Sequence, residues 1–399
     1  MNQNWIKEVQ TRIKGVPISS GRSSKLGKIS FEDLVFVPAQ LAKRPVDYYQ
    51  EKISAKTVIG KNSKKPIELE TPIIIGAMSF GALSREAKTA LAKASTIAGT
   101  IENTGEGGML PEEREFSKYL IVQYSTARFG ITEEILKKAD TIEIKIGQGA
   151  KPGQGGLLPK EKITAEIAEI RKIERGKDVH SPASHLDIKT IEDLREKVKW
   201  LRGVTGGKPI IIKLGAGDVE NDVSLAVKAN PDIIALDGLE GGTGAAPEVM
   251  LDEVGIPAMV ALVRARKALD KIKASQELWI GGGLNKGGDF AKALALGADA
   301  VFVAFPLLIA MGCSYCKLCY LGKCPKGIAT QDPELRKKLN IEEASQNIAN
   351  FIKNCTEEIK MITGAVGKNN VHSLTKEDLR ALTLEMAKLT GVKFAGIME

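Results

Sequence analysis

The chain has 399 residues, 43% of them hydrophobic and 27% charged, with 57 basic against 49 acidic side chains and a formal charge of +8. Such a chain can bury a substantial core, and its excess charge is spread rather than massed. With aromatics at only 5%, the basic stripe with interleaved aromatics of a nucleic-acid groove is missing. No apolar run reaches the roughly 20 residues of a membrane helix, and the opening "MNQNWIKEVQTRIKG" lacks the apolar centre of a secretory signal. A cytoplasmic protein is expected, with neither nucleic acid nor membrane as partner.

Residues 1–65 are polar and turn-rich ("GVPISSGRSSKLGKISFEDL") and read as an N-terminal arm. Residues 66–331 are regular. Short apolar runs at 72–79, 100–103, 120–124, 142–146, 209–214, 233–237, 278–282 and 300–304 are mostly followed by a Gly-rich loop and a helical pattern such as "SREAKTALAKASTIAG" or "TIEDLREKVKWLRGV". Unalternating runs joined through helices predict a parallel sheet buried on both faces. Eight of them match the count of an α/β (β/α)8 TIM barrel. A doubly wound open sheet has the same alternation. The barrel is favoured because the last two runs, "LWIGGGL" and "AVFVAFPL", carry loop glycines where barrels grip a phosphate after strands seven and eight. Residues 147–205 are too long for one loop and helix, and are expected to help build an active site. Residues 332–399 read as a C-terminal extension of two or three helices.

After the eighth run, "GCSYCKLCYLGKCPKG" (312–327) gathers four of the five cysteines as Cys313-x2-Cys316-x2-Cys319-x4-Cys324-Pro325. Disulfides do not suit an apparently cytosolic chain. Structural zinc uses ligand pairs separated by a longer loop, and no histidine is near. Short-spaced thiolates ending in Cys-Pro resemble a ferredoxin-type iron–sulfur signature, with one extra residue before the last cysteine. Cys355 reads as a core residue. A one-electron centre beside an anion grip points to a flavin phosphate, because FMN joins one-electron to two-electron transfer.

The stretches "AMSFGALS" (77–84), "TGEGG" (104–108), "RFGIT" (128–132), "KIGQGAKPGQGG" (145–156), "GGTGAAP" (241–247) and "GCSYCKLCYLGKCPKGIATQDPELRKKL" (312–339) resemble, in order, the FMN-binding central domain of the glutamate synthase large subunit. The resemblance implies an FMN-binding barrel with an iron–sulfur loop after strand eight. It further implies reduction of 2-iminoglutarate, formed from 2-oxoglutarate and ammonia, to L-glutamate. Electrons would come from ferredoxin or an NADPH-oxidising subunit through the cluster to FMN. The family's [3Fe–4S] cluster uses a Cys-x5-Cys-x4-Cys pattern, which falls on Cys313, Cys319 and Cys324. Cys316 is additional, and as a fourth ligand it would allow [4Fe–4S]. Ammonia would arrive free or from a separate glutaminase subunit, and a homo- or hetero-oligomer is expected.

Carried over residue by residue, the resemblance makes Lys151, Glu106 and Arg171 candidate catalytic residues. Lys151 would polarise or protonate the imine, Glu106 would move a proton, and Arg171 would grip a carboxylate. Lys213, a charged side chain at the end of a buried run, would offset the negative charge of a reduced flavin. Ala77, Met78, Ser79, Gln148, Gly241, Gly242, Thr243 and Gly244 would lie against the cofactor, with Gly282, Gly283, Val303 and Ala304 on its phosphate. Lys145 is a further inward candidate. Asp237 and Glu240 are read either as ribityl contacts or as solvated loop acids, and His180 and His185 as candidate substrate or flavin contacts. Leu157 departs from the family, which has a glutamine there. The alternatives are therefore another 2-oxoacid or amino-acid-derived substrate, or a non-catalytic electron-transfer subunit.

Overall fold

The computed structural model describes residues 4–23 and 29–396. Each of the eight apolar runs contains a strand: β1 (Ile73–Ile75), β2 (Glu102–Asn103), β3 (Leu120–Tyr124), β4 (Thr141–Lys145), β5 (Ile210–Gly215), β6 (Ile233–Asp237), β7 (Glu277–Gly281) and β8 (Ala300–Val303). Their ladders are parallel, and the ladder order is β1-β8-β7-β6-β5-β4-β3-β2. The first strand thus pairs with the last, Ile75 opposite Val303. At the remaining seam the Ile75 amide donates to the Ile101 carbonyl over 3.1 Å. The sheet is a barrel rather than an open, doubly wound one.

The runs carry no polar alternation because both faces of every strand are covered. One set of side chains, including Ile74, Ile121, Ile211, Ile233, Trp279 and Phe302, fills the barrel interior. The other set packs under the helices. Burying each such aliphatic side chain contributes about 1.5–3 kcal/mol. A hairpin of Thr57–Ile59 and Ile67–Leu69 adds Ile59, Ile67 and Leu69 to the interior cluster, and the Lys61 amide beside it binds Glu277 at the start of β7 over 2.9 Å. The N-terminal end of the barrel is therefore sealed with apolar side chains.

Local signals set the helices. Ser84 caps Arg85–Ala98, which stops at Gly99 in the left-handed region (φ 69°). Thr190 and Asp193 form a capping box on Ile191–Val204. Residues 147–205 fold into an antiparallel pair, Leu157–Leu158 with Val179–His180, that flanks the helix Ala165–Arg171 and precedes Ile191–Val204. The segment read as an arm is tied down at two points. Ile18–Gly21 pairs with Thr243–Pro247, and Leu34–Phe36 with Leu379–Ala381. Beyond the barrel, the 25-residue helix Ile341–Ala365 packs on Arg85–Ala98 and Gly287–Ala295. Among the described residues no helix is long and apolar enough to cross a membrane.

Candidate active site

At the C-terminal ends of the strands lies a cavity of about 1690 Å³, its open mouth included. One side of it is backbone. Gly282 (φ 103°) and Gly283 (φ 73°) follow β7, and a Cβ there would come within 3.1 Å of Gly238 and 3.0 Å of Glu240. Val303 and Ala304 follow on β8, whose Val303 carbonyl accepts the Gly76 amide over 2.8 Å. Ala77, Met78 and Ser79 then line the wall after β1. Opposite them run Gly241, Gly242, Thr243 and Gly244. A Cβ on Gly244 would meet only the Ala82 side chain, at an ordinary contact distance of 3.9 Å, so this stretch of wall is uncrowded.

The other side is charged. Lys145, the last residue of β4, pairs with Glu106 over 2.7 Å. Burial alone would raise the Glu106 carboxyl, but Lys145 together with the Ser181 hydroxyl and Arg171 outweighs it and holds the group below its usual range. Glu106 Oε1 is buried with no hydrogen-bond partner among the described residues. Lys151 is 5% exposed and, among the described residues, donates only to the Ala245 carbonyl, over 3.0 Å. Burial first, then the neighbouring Lys145, brings it down to about 8. Lys213 on β5 sits 3.6 Å from Asp237 and 4.9 Å from the centre of the Phe302 ring. Gln148 lines the wall between them.

Arg171 is the last residue of the helix Ala165–Arg171 and is not solvated. It is buried against Phe129, its Nε and Nη2 donate to the Phe80 carbonyl over 3.1 and 2.5 Å, and Nη2 reaches Ser79 Oγ at 3.3 Å. Burial brings it to about 10. A bidentate grip through the Nε edge is thus taken up by protein, which leaves the Nη1 side for a ligand. Asp237 and Glu240 both line the cavity, but Glu240 Oε2 is committed to the Ala258 amide over 2.8 Å. Neither histidine lines it. His180 is exposed, and His185 is buried behind β4, with Nε2 2.8 Å from the Lys145 carbonyl and Nδ1 2.6 Å from Arg128. Those partners make Nε2 the protonated nitrogen and Nδ1 the acceptor, and burial followed by Arg128 lowers His185 to about 4.

The cavity reaches the cysteine loop, where Cys313 and Cys319 form part of its wall. Cys324 is buried, Cys313 and Cys319 pack against the main core, and Cys316 is exposed. Tyr315 and Lys317, on either side of Cys316, hold left-handed φ values of 55° and 57°, each costing about 1–2 kcal/mol. Burial, then Cys324 and Cys313, pushes the Cys319 thiol up to about 11. Thiols that repel one another's ionisation in this way suit a cationic iron core, which would offset three thiolates at once. No three His, Cys, Asp or Glu side chains converge on a single-ion site among the described residues; in a cluster each thiolate takes its own iron. The glycine-lined wall and the orphaned Glu106 oxygen likewise fit a polar planar cofactor.

Two residues of this cavity carry no local sequence signal. Arg22, from the N-terminal segment, lies 4.9 Å over the Phe305 ring and binds Asn285 Oδ1 over 2.6 Å. Lys162 sits between the cavity and the cysteine loop, and burial brings it down to about 8 against the opposite pull of Cys319.

The conserved region in glutamate synthase matches residues 5–369 of this chain. A glutamate synthase large subunit-like protein of Rhizobium meliloti is 41% identical over 94% of this chain and 90% of its own length. The archaeal glutamate synthase (NADPH) of Archaeoglobus fulgidus is 39% identical over 99% of this chain and 84% of its own. Among solved structures, a lactate oxidase of Pediococcus acidilactici superposes with a TM-score of 0.59 at 14% identity, covering 91% of this chain and 89% of that one. A mandelate oxidase with an FMN adduct superposes at 0.54 and 16% identity, covering 86% and 87%. These two likenesses are of fold.

Proposed function

Because the chain belongs to the glutamate synthase family of oxidoreductases, we propose that it is a glutamate synthase-like flavoenzyme that converts 2-oxoglutarate and ammonia, as 2-iminoglutarate, to L-glutamate. The observation that carries this reading is the joining, in one cavity, of an open glycine wall, an excess of cations around Glu106, and two inward-facing cysteines. When bound, FMN would supply the hydride and an iron–sulfur cluster the single electrons. Gly282, Gly283, Val303 and Ala304 would hold the phosphate, and the buried Lys213 ammonium would favour the reduced, more negative form. Cys313, Cys319 and Cys324 turn into the protein while Cys316 faces solvent, which favours three ligands and [3Fe–4S].

Lys151, near 8, holds a proton at Nζ that it can pass to an imine nitrogen close to neutral pH. Arg171 offers its Nη1 side to a carboxylate, and Glu106 offers the unpaired Oε1 for a proton. The names of the relatives give NADPH as reductant, so an NADPH-oxidising partner, or ferredoxin, would feed the cluster. A second reading keeps the cofactors and changes the substrate. Leu157 lines the cavity beside Leu158 and Val179, an apolar strip that cannot hydrogen-bond a dicarboxylate.

Anaerobic reduction of the loaded protein, followed by 2-oxoglutarate and ammonium, tests both. Flavin reoxidation with formation of glutamate is expected. Reoxidation only by another 2-oxoacid assigns the second reading, and electron transfer between dyes without any substrate response overturns both. On the first reading, Leu157→Gln lowers the KM for 2-oxoglutarate about tenfold.

A further inference from the structure

Lys162 closes the 3-10 turn Lys160–Lys162 that precedes the helix Ala165–Arg171. It is 5% exposed, although "PKEKIT" reads as surface charge. Its Nζ donates to the Cys319 carbonyl over 3.2 Å and to the Ala82 carbonyl over 3.4 Å. No carboxylate pairs with it among the described residues. Its alkyl stem lies along the cysteine loop, where a Cβ on Gly322 would stand 3.4 Å from Lys162 Cγ. One ammonium therefore ties the cavity wall after β1 to the cysteine loop, beside the two cysteines that the cavity reaches. A buried cation without a counter-ion is costly to keep, so the surroundings suit a negative group that arrives with a ligand.

We propose that Lys162 is a positioning residue for electron transfer between the cysteine-held cluster and the flavin. Its charge raises the reduction potential of the cluster, and its two hydrogen bonds fix the loop against the cavity. This rests on the iron–sulfur reading of the cysteine loop. The physical reason is that adding one electron makes the cluster more negative, and a cation held in a water-poor setting favours that state. No bond or proton changes hands; the electron passes from the external reductant to the cluster and on to the flavin.

The test uses the fully loaded protein, with iron and sulfide content scored first. A wild-type protein without a cluster signal sinks the cysteine-loop reading itself, independently of any variant. With the cluster present, EPR-monitored redox titration of Lys162→Gln is expected to show a lower cluster midpoint, equivalent to about a tenfold rise in the oxidised-to-reduced ratio at a fixed potential. Lys162→Arg is expected to stay near wild type, and cluster-to-flavin transfer in stopped flow is expected to slow only in the glutamine variant. Lys162→Met keeps the stem on Gly322 and serves if the glutamine variant loses its cluster. A wild-type midpoint in whichever neutral variant retains the cluster overturns the proposal.

Discussion

Two charge clusters, one holding Glu102 on β2 and the other Glu106 in the loop that follows it, are built in opposite ways. In the first, Lys88 is fully enclosed, with Glu102 at 2.8 Å, Glu113 at 2.9 Å and the Asn103 carbonyl at 3.2 Å. Burial raises both carboxyls against the pull of Lys88. Ser117 and the Leu110 amide complete the shell. In the second cluster, around Glu106, cations outnumber acids. Lys151 and Arg171 are satisfied only by carbonyl and hydroxyl oxygens. The first cluster turns its single ammonium and both carboxyls on one another and pins β2 to the helices beside it. The second leaves charge over, facing a cavity. Burial is common to both, so what distinguishes a ligand site here is incomplete pairing.

The contrast can be broken from either side. Lys88→Met strands two buried carboxyls and is expected to destabilise the fold by about 3–5 kcal/mol, read as a lower urea midpoint, while leaving the chemistry of the remaining folded protein intact. Lys151→Met should do the reverse: turnover falls about 10²–10⁴-fold with no loss of stability. Equal losses of stability in the two variants would erase the distinction.

The pH dependence sharpens it. The folded Lys151 titrates near 8 against an ordinary 10.5, so between those values the unfolded chain binds more protons. The cost of burying this ammonium is therefore complete below about pH 8 and is relieved as pH rises to 10.5. Turnover should fall about tenfold per pH unit above 8 as Nζ loses its proton, and a pH–rate profile that stays flat to pH 10 would remove Lys151 from proton transfer. The smallest effect is expected at the exposed thiol. Cys316→Ser leaves iron content and the oxidised EPR signal unchanged, whereas Cys324→Ser abolishes both.

The barrel was legible because parallel strands covered on both faces cannot hide their composition. "IIIKLG" and "LWIGG" read as buried whatever surrounds them. Residues of the glycine and lysine loops were legible because they follow those strands directly. What local pattern could not show was anything set by contact between distant segments. Arg22 meets Asn285 across 263 residues, and Lys162 meets Cys319 across 157. Each looks like a solvated basic residue in its own neighbourhood. His185 was singled out for the cavity but supports it from behind, since spacing places a histidine near β4 without saying on which side. The first strand of the hairpin that seals the barrel was read as part of a polar arm, because the Lys- and Ser-rich turn after it masks the inward-facing Ile59.

Ser20 shows what such distant contacts mean for assembly. Its hydroxyl donates to the Gly244 carbonyl at 2.7 Å and accepts the Tyr320 amide at 2.9 Å, joining segments 224 and 300 residues away. Contacts across such sequence separations carry a loop-closure cost that only the surrounding folded structure offsets. One seryl hydroxyl of the N-terminal segment is therefore a fastening between the loop after β6 and the cysteine loop, so two walls of the cavity take their relative position from a segment that lies outside the barrel.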